Sequence, residues 1–520
     1  MRGQWTGAVI GCRTVRGVAK LLLGLAGGAL LGVGACHLLL PERYAVNVPL
    51  RQALLGRGID PPQDEVLRRL RPPPGFGVTR YAARLPGARF LRFTPTGDLL
   101  VSLPRSGTIV LLERDANGDG QADGALTLLE GLNRPHGMDL HQGWLYVGET
   151  DAVARVRFDP AARATQGPIE RVVTGLPGGG NHWTRTVRFG PDGLLYVSVG
   201  SSCNVCLEQD PRRAAILRFR PDGSEGEIYA TGLRNSVGFD WRPGTDELYA
   251  TDNGRDLLGD DFPPCELNRI VKGGFYGWPF LNGDNVPDPD FGATPQAVAR
   301  RSGAIPPVHG FRPHNAPLGM TFLQSQGLPP ELRGAALVAL HGSWNRTRKD
   351  GYAVVSLHWD RTGGITERDF LTGFLENEDV IGRPVDVAQG PDGAIYVSDD
   401  YAGSIYRVAF GEASRAGAAA PPAPIAPPPS DVLASLPPGE RGARVERGRA
   451  LFEQHACARC HDPERAEPGV RPVRLQGLSA RYGVSDLASL LAAPTPPMPL
   501  FPLSEDERRD VAAFLLSEHP

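Results

Sequence analysis

The chain has 520 residues, 41% of them hydrophobic, with 55 basic and 58 acidic side chains, a formal net charge of −3 and a pI near 6.4. That length exceeds one ordinary compact domain and predicts two or three units, or one large repeat architecture. The charge balance leaves no basic field for nucleic acid or for whole-surface attraction to acidic lipid. With lysine only at Lys20, Lys272 and Lys349, anions must be held by arginine.

In residues 1–40, Arg2, Arg13, Arg16 and Lys20 precede the uncharged run LLLGLAGGALLGVGACHLLL. About twenty apolar residues behind a positive flank predict a membrane anchor or signal segment, its positive side cytoplasmic and the remainder exported to the periplasmic side. Val33-Gly34-Ala35-Cys36 also fits a lipoprotein cleavage site, which would anchor the chain by lipid at Cys36 instead. Residues 41–74 are a polar lead-in with one short helix ended by prolines. From Gly75, GFGVTRYAARL alternates as a strand does.

Beyond it comes a repeat. FLRFTPTGDLLVSL, GMDLHQGWLYVGET, VRFGPDGLLYVSVG, VGFDWRPGTDELYAT, MTFL…AALVALHG and VDVAQGPDGAIYVSD each give a strand, a turn and a second strand. Six such units at roughly fifty-residue spacing predict an all-β six-bladed propeller over 75–410, with Gly75–Leu85 closing the last blade. A β-sandwich is the competing architecture, and the likeness of units three and six argues against it. Residues 411–437 form an Ala/Pro spacer unable to bury a core. Residues 438–520 predict a small all-α domain with helices over GARVERGRALFEQHAC, SDLASLLAA and SEDERRDVAAFLLSE, the last N-capped by Ser504.

In that domain Cys457-Ala458-Arg459-Cys460-His461 has the spacing at which two thiols bond covalently to haem and the adjacent imidazole binds its iron. A zinc site would need a second ligand pair, and none is suitably spaced. Met498, in PTPPMPLFP, is the expected ligand on the opposite iron face, with His455 and His519 as weaker alternatives. Its proline-bracketed setting resembles the distal loop of class I c-type cytochromes. Cys203-Asn204-Val205-Cys206 lacks a following histidine and is no haem site; a local disulfide is expected there, with Cys265 single.

Counting back from each turn proline, His182 lies nine residues before Pro191, Arg234 nine before Pro243 and Arg383 eight before Pro391. His136 in unit two, and His314 and Asn315 in unit five, hold similar places. In a propeller such positions converge on one end of the channel, where they would make an anion site with a neutral imidazole as base. Asp115, Asn117, Asp119, Gln121 and Asp123 follow the alternation of a calcium loop around Gly120, without the closing glutamate. A calcium loop and a hydrophilic hairpin both fit. Thr251–Asn268 is a second oxygen-rich stretch.

The motifs NHWTRTVRFGPDGLLYVSVG, ATGLRNSVGFDW, ELNRIVKGGFYGWP, HGSWNR and GRPVDVAQGPDG resemble the soluble quinoprotein glucose/sorbosone dehydrogenases, the sorbosone branch more than the glucose branch. The resemblance implies pyrroloquinoline quinone (PQQ) and calcium as cofactors. His182 would then take the hydroxyl proton, with Arg234 beside it in the reaction. Arg234 and Asn235 would lie against the quinone, with His136 a further contact. Arg383 would clamp a carboxylate, and Arg346 would replace a cofactor-binding lysine. Gly254 and Arg255 would offer backbone oxygens to calcium. Where the glucose branch has an acid supporting the histidine, this chain has Ser201. The expectation is a membrane-anchored periplasmic quinohaemoprotein that oxidises an aldose, sugar aldehyde or related alcohol and passes electrons through haem c to a respiratory acceptor. The alternatives are a non-catalytic propeller that binds a ligand beside an electron-carrier cytochrome, and sugar-acid or lactone chemistry at His182 without haem reduction.

Overall fold

The computed structural model describes residues 42–49 and 58–411 and, towards the C-terminus, 439–462, 484–492 and 501–518 with single positions between them. The chain divides into two compact units, 1–418 and 419–520. In the first unit six four-stranded antiparallel sheets follow one another in a ring. Blades 1 to 5 take their strands in order from 91–129, 138–174, 187–231, 239–311 and 317–371. Blade 6 comprises 384–410 together with Phe76–Ala82, which runs antiparallel to Ser404–Phe410 with Phe76 opposite Phe410. The expected closing strand is therefore in place, and the arrangement is a propeller rather than a sandwich.

Each blade packs neighbours on both faces, so its middle strands read as unbroken apolar runs while its outer strand is polar. Leu99–Leu103 and Leu195–Val199 are buried at every position, whereas Ala164–Thr174 is mostly exposed. Leu100, Ile109 and Leu111 of blade 1 meet Met138, Leu145 and Val147 of blade 2, and similar clusters fill the other five seams.

Even and odd blades differ at the turn end of the channel. Asp139 of blade 2 accepts from the Phe189 amide of blade 3 at 2.8 Å, Asp240 of blade 4 from Phe322 of blade 5 at 3.0 Å, and Asp386 of blade 6 from Leu91 of blade 1 at 2.9 Å. Each even blade thus reaches its successor through one buried carboxylate. Arg92 pairs with Asp139 and Arg188 with Asp240, both at the same level.

In the second unit the expected helices span Arg441–Gln454, Val484–Ala492 and Glu505–Glu518. The first and last cross at Gly448, where an added Cβ would run into the Asp510 carbonyl. Phe452 and Phe514 meet nearby at 5.4 Å. Ser504 accepts from the Glu507 amide at 3.3 Å while Glu507 accepts from the Ser504 amide at 2.7 Å, a reciprocal cap. Among the described residues no helix is long and apolar enough to cross a membrane. The expected anchor 1–40 with Cys36, nearly all of the 411–437 spacer, and His519 lie outside the described residues.

Candidate active site at the strand-entry mouth

At the opposite end of the channel the even blades share a second device. The acid that closes each second strand accepts the amide of the segment entering the inner strand: Glu149 from Asn133 at 2.7 Å, Asp252 from Arg234 at 2.8 Å and Asp399 from Arg383 at 2.9 Å. Burial pushes Asp252 up to about 7 and Asp399 up to about 6. These acids set the backbone from which the arginines project.

Arg234 is 5% exposed. Its Nε donates to the Asn204 carbonyl at 2.9 Å, Nη1 to the carbonyls of Asn253 at 3.2 Å and Gly254 at 2.9 Å, and Nη2 to Asn204 Oδ1 at 2.9 Å and Asp256 at 3.0 Å. All five donors of the fork are engaged. Burial opposes ionisation of Asp256, yet its contacts with His314 and Arg234 hold the carboxyl below the usual range. Arg383 is buried too, bonded through Nε to the His341 carbonyl and through Nη2 to that of Gly342, each at 3.0 Å, and lies over the Tyr352 ring.

His182 leans on Gly200, where an added Cβ would stand 2.5 Å from the His182 Cβ and 2.6 Å from Asn235 Oδ1. Its Nδ1 lies 2.9 Å from both the carbonyl and the hydroxyl oxygen of Ser201. A carbonyl can only accept, so Nδ1 carries the proton and Nε2 the lone pair. Ser201 Oγ in turn donates to the Cys203 carbonyl at 2.8 Å. Ser201 thus orients the ring through its carbonyl and its hydroxyl. Burial, then the Arg234 charge, lowers the His182 pKa to about 3, so the ring is neutral at ordinary pH.

A cavity of 490 Å³ is lined by Arg89, Arg105, Arg134, Trp183, His341 and Asp400; of the expected site residues, His182, Arg234, Asn235 and Arg383 do not line it, and Trp183 is its link to the His182 segment. The Arg134 guanidinium lies 4.0 Å and that of Arg89 5.7 Å from the Trp183 ring centroid. Asp400 bonds His341 Nε2 at 2.9 Å and Arg89 Nη1 at 2.8 Å. Burial opposes its ionisation, but His341 and Arg89 hold it well below the usual carboxylate range. Burial, then Arg383, lowers His341 to about 4. Arg134, with φ 51°, and His314, with φ 65°, sit in the left-handed region that non-glycine residues avoid. Counting from turn prolines missed Arg89 and Arg134, because Arg89 lies too close to Pro95 to share the register and unit two, MDLHQGW, has no turn proline.

Other expected residues are placed differently. His136 is fully buried, its ring 4.2 Å from Phe90 and 5.6 Å from Trp183, so it supports the tryptophan from beneath. Burial, then the charges of Arg89 and Arg185, lowers its pKa well below the ordinary value. Arg346 donates to the carbonyls of Asp260 at 2.6 Å and Pro313 at 3.1 Å, tying two loops together, and it is His341 of the same HGSWNR motif that lines the cavity. The Arg255 side chain pairs with buried Asp288 and with Asp290. In the 115–123 loop, Asp115 accepts the amides of Gly118, Asp119 and Gly120, and Asp123 that of Ala116. The oxygens there are turned to the loop's own backbone. Among the described residues one group of three metal-ligating side chains converges, Cys203, Cys206 and Glu208, and its two sulfurs are already joined as expected. Cys265 is single and buried.

In the second unit Cys457, at the N-cap of the short helix Ala458–His461, and Cys460, within it, are free thiols. Cys457 and Met498 both pack against the apolar cluster of Phe452, Leu487 and Phe514.

The first unit is thus a six-bladed propeller with buried arginines and neutral histidines at one mouth. The particular family comes from sequence: the profile of the Glucose / Sorbosone dehydrogenase family matches residues 146–407, just over half of the chain. The protein belongs to that family. An uncharacterized protein of Borreliella burgdorferi is 36% identical over 42% of this chain and 57% of its own length. The pyrroloquinoline quinone-dependent pyranose dehydrogenase of Coprinopsis cinerea is 28% identical over 59% of this chain and 51% of its own. An aldose sugar dehydrogenase of Escherichia coli is 26% identical over 44% and 60%. The chain thus spans little more than half the length of these relatives. In fold it is similar to the PQQ domain of the Coprinopsis cinerea pyranose dehydrogenase, with a TM-score of 0.57 at 23% identity over 67% of this chain and 98% of that one. It is likewise similar to a Trichoderma reesei protein of carbohydrate-active family AA12, with a TM-score of 0.58 at 22% identity over 66% and 97%.

Proposed function

We propose that the propeller is a PQQ-dependent dehydrogenase of an aldose, sugar aldehyde or related alcohol, and that the C-terminal unit is a c-type cytochrome carrying its electrons to a respiratory acceptor on the periplasmic side. The observation that carries this reading is the cavity wall, where Arg89, Arg105, Arg134 and His341 face a single carboxylate, Asp400, around the plane of Trp183. That chemistry suits a flat polyanion such as a tricarboxylate quinone. The fit is supported by buried polar atoms without a protein partner at this mouth: Asn253 Oδ1 and both amide atoms of Asn315.

Arg89, Arg134 and Arg383 would bind the carboxylates, Trp183 would stack on the ring plane, and Asn235 would lie at the edge. The Gly254 carbonyl already faces a cation, the Arg234 guanidinium, and with the Arg255 carbonyl would offer oxygen to calcium. When bound, PQQ supplies an acceptor for hydride. His182 Nε2 would take the substrate's hydroxyl proton. A second reading gives the proton to His341, which lines the cavity and has a carboxylate partner. In the small unit Cys457 and Cys460 would hold the haem, and His461 and Met498 its iron, which favours outer-sphere electron transfer.

The test is to load purified protein with PQQ and calcium and to follow the haem's reduced α-band on adding a panel of aldoses. Haem reduction that is lost in His182→Gln but not in His341→Gln supports the reading; the reverse pattern moves the base to His341. A haem-replete protein that no sugar reduces is a ligand-binding propeller instead, and turnover without haem reduction would point to lactone chemistry.

A further inference from the structure

Between the blade 3 strands Leu195–Val199 and Ala215–Phe219 the chain runs without regular structure, and inside this stretch Cys203 and Cys206 are joined. Three separate segments of the mouth meet on that four-residue ring and its flanks. The first is the segment of His182: Nδ1 of the ring is held by Ser201, the Asn181 amide donates to the Ser202 carbonyl at 2.8 Å, and Gly180, at φ 92°, passes so close that an added Cβ would run into that same carbonyl. The second is Arg234, two of whose five donors end on Asn204. The third is the 253–256 loop. Asn204 Oδ1 accepts the Asp256 amide at 2.8 Å, and its Nδ2 donates to the Asp256 carbonyl at 3.0 Å. The exit of the ring is fixed as well, by Glu208, which accepts from the Ser202 hydroxyl at 2.8 Å and amide at 2.5 Å.

We propose that the ring closed by Cys203 and Cys206 is a positioning device for the active mouth: through Asn204 it fixes Arg234 and the 253–256 loop, and through Ser201 it fixes the proton of His182 on Nδ1. Asn204 and the two cysteines are therefore positioning residues for a site in which they take no chemical part. Asn204 suits the task because its amide both accepts and donates, so one side chain bonds the guanidinium and clamps both polar groups of residue 256. Alanine would leave the Arg234 Nη2 and the Asp256 amide without that acceptor in a buried place. The covalent link suits it too. A bond that closes so short a loop constrains the unfolded chain little, so its effect falls on the native placement of the loop. The Ser201 hydroxyl, whose own proton goes to the Cys203 carbonyl, presents only lone pairs to the histidine, and this holds while residue 203 stays where the link puts it.

The part of this inference that concerns Arg234 rests on the cofactor reading above; the part that concerns His182 does not. Two measurements on the full-length protein therefore test it, for wild type, Asn204→Ala, Asn204→Ser and the double variant Cys203→Ser/Cys206→Ser. The first is PQQ affinity by quenching of tryptophan fluorescence, where loss of the Asn204 bonds is expected to weaken binding about tenfold. The second uses cofactor-free protein and the long-range nitrogen–proton spectrum of labelled histidine. There wild type should give the single Nδ1–H form of His182, and the cysteine variant, in which the released loop takes both the carbonyl and the hydroxyl of Ser201 away from the ring, a mixture of both forms. Wild type that fails to bind PQQ overturns the cofactor reading but leaves the second measurement to decide. Should the cysteine variant not fold, the two Asn204 variants keep the disulfide and decide through affinity. Variants that melt as wild type does yet retain both its affinity and its single tautomer would overturn the proposal.

Discussion

Gly200 is a small residue for a steric reason, not a conformational one: its Cβ would meet the His182 Cβ at 2.5 Å and Asn235 Oδ1 at 2.6 Å. Gly200→Ala should leave the strand intact and push both side chains away, lowering turnover on the order of 100-fold at nearly unchanged melting temperature, as misplacement of reacting groups by about 1 Å does. Steady-state kinetics beside a thermal melt checks this. His182 carries a second prediction. Its folded pKa, about 3, lies below the ordinary 6.5, so its contribution to stability is present above pH 6.5 and lost as pH falls towards 3. Acid unfolding followed by fluorescence should be shallower over that range in His182→Gln. At this scale the sequence was legible where a repeat supplied a ruler. His182 and Arg234 each stand nine residues before a turn proline and Arg383 eight, and the Arg234 charge reaches the His182 ring. Arg346 of the HGSWNR motif is taken up by the Asp260 and Pro313 carbonyls, while His341 of the same motif lines the cavity, a division that the motif itself does not report. Nothing in local sequence reports that Asp400 will bond both His341 and Arg89, because that contact joins blades 5, 6 and 1.

Strands were legible where short apolar runs recur between Pro/Gly/Asp turns, although the middle ones are buried at every position. The cap at Ser504 follows from residue type, whereas the crossing at Gly448 shows only in the packing of the two terminal helices, which Gly448→Leu would drive apart. Overpacking of this kind costs about 1–3 kcal/mol, and hydrogen exchange should rise over 441–454 and 505–518 while the propeller's stays unchanged. Blade 4 carries a long segment between Cys265–Ile270 and His309–Phe311. What organises it is a buried pair: the Arg255 and Asp288 side chains are 6% and 1% exposed and bond at 2.7 Å. Arg255→Ala leaves a buried carboxylate without its charge partner and should destabilise the propeller by about 3 kcal/mol. Adding Asp288→Asn should recover part of that loss, a coupling that a double-mutant cycle in urea measures.

The whole propeller combines a sixfold frame with a threefold alternation. Even blades send a carboxylate to the next blade at one mouth and carry an acid that sets the entering segment at the other. Ring closure depends on Phe76–Ala82, because without it the Ser404–Phe410 strand would be an unpaired edge. Removing residues 76–82 should turn a monodisperse protein into one that self-associates, as read by size-exclusion chromatography. The register of that last pairing has a mechanical meaning. Phe76 opens its strand and Phe410 ends the partner strand, and the two stand opposite each other. The chain therefore enters and leaves the ring at one corner, side by side. A pull applied between the chain before residue 76 and the chain after residue 410 loads this ladder by peeling rather than by shear, breaking its pairs one at a time from that corner. The other five blades hide their strand ends within continuous chain, so the seam of blade 6 is where force would open the wheel.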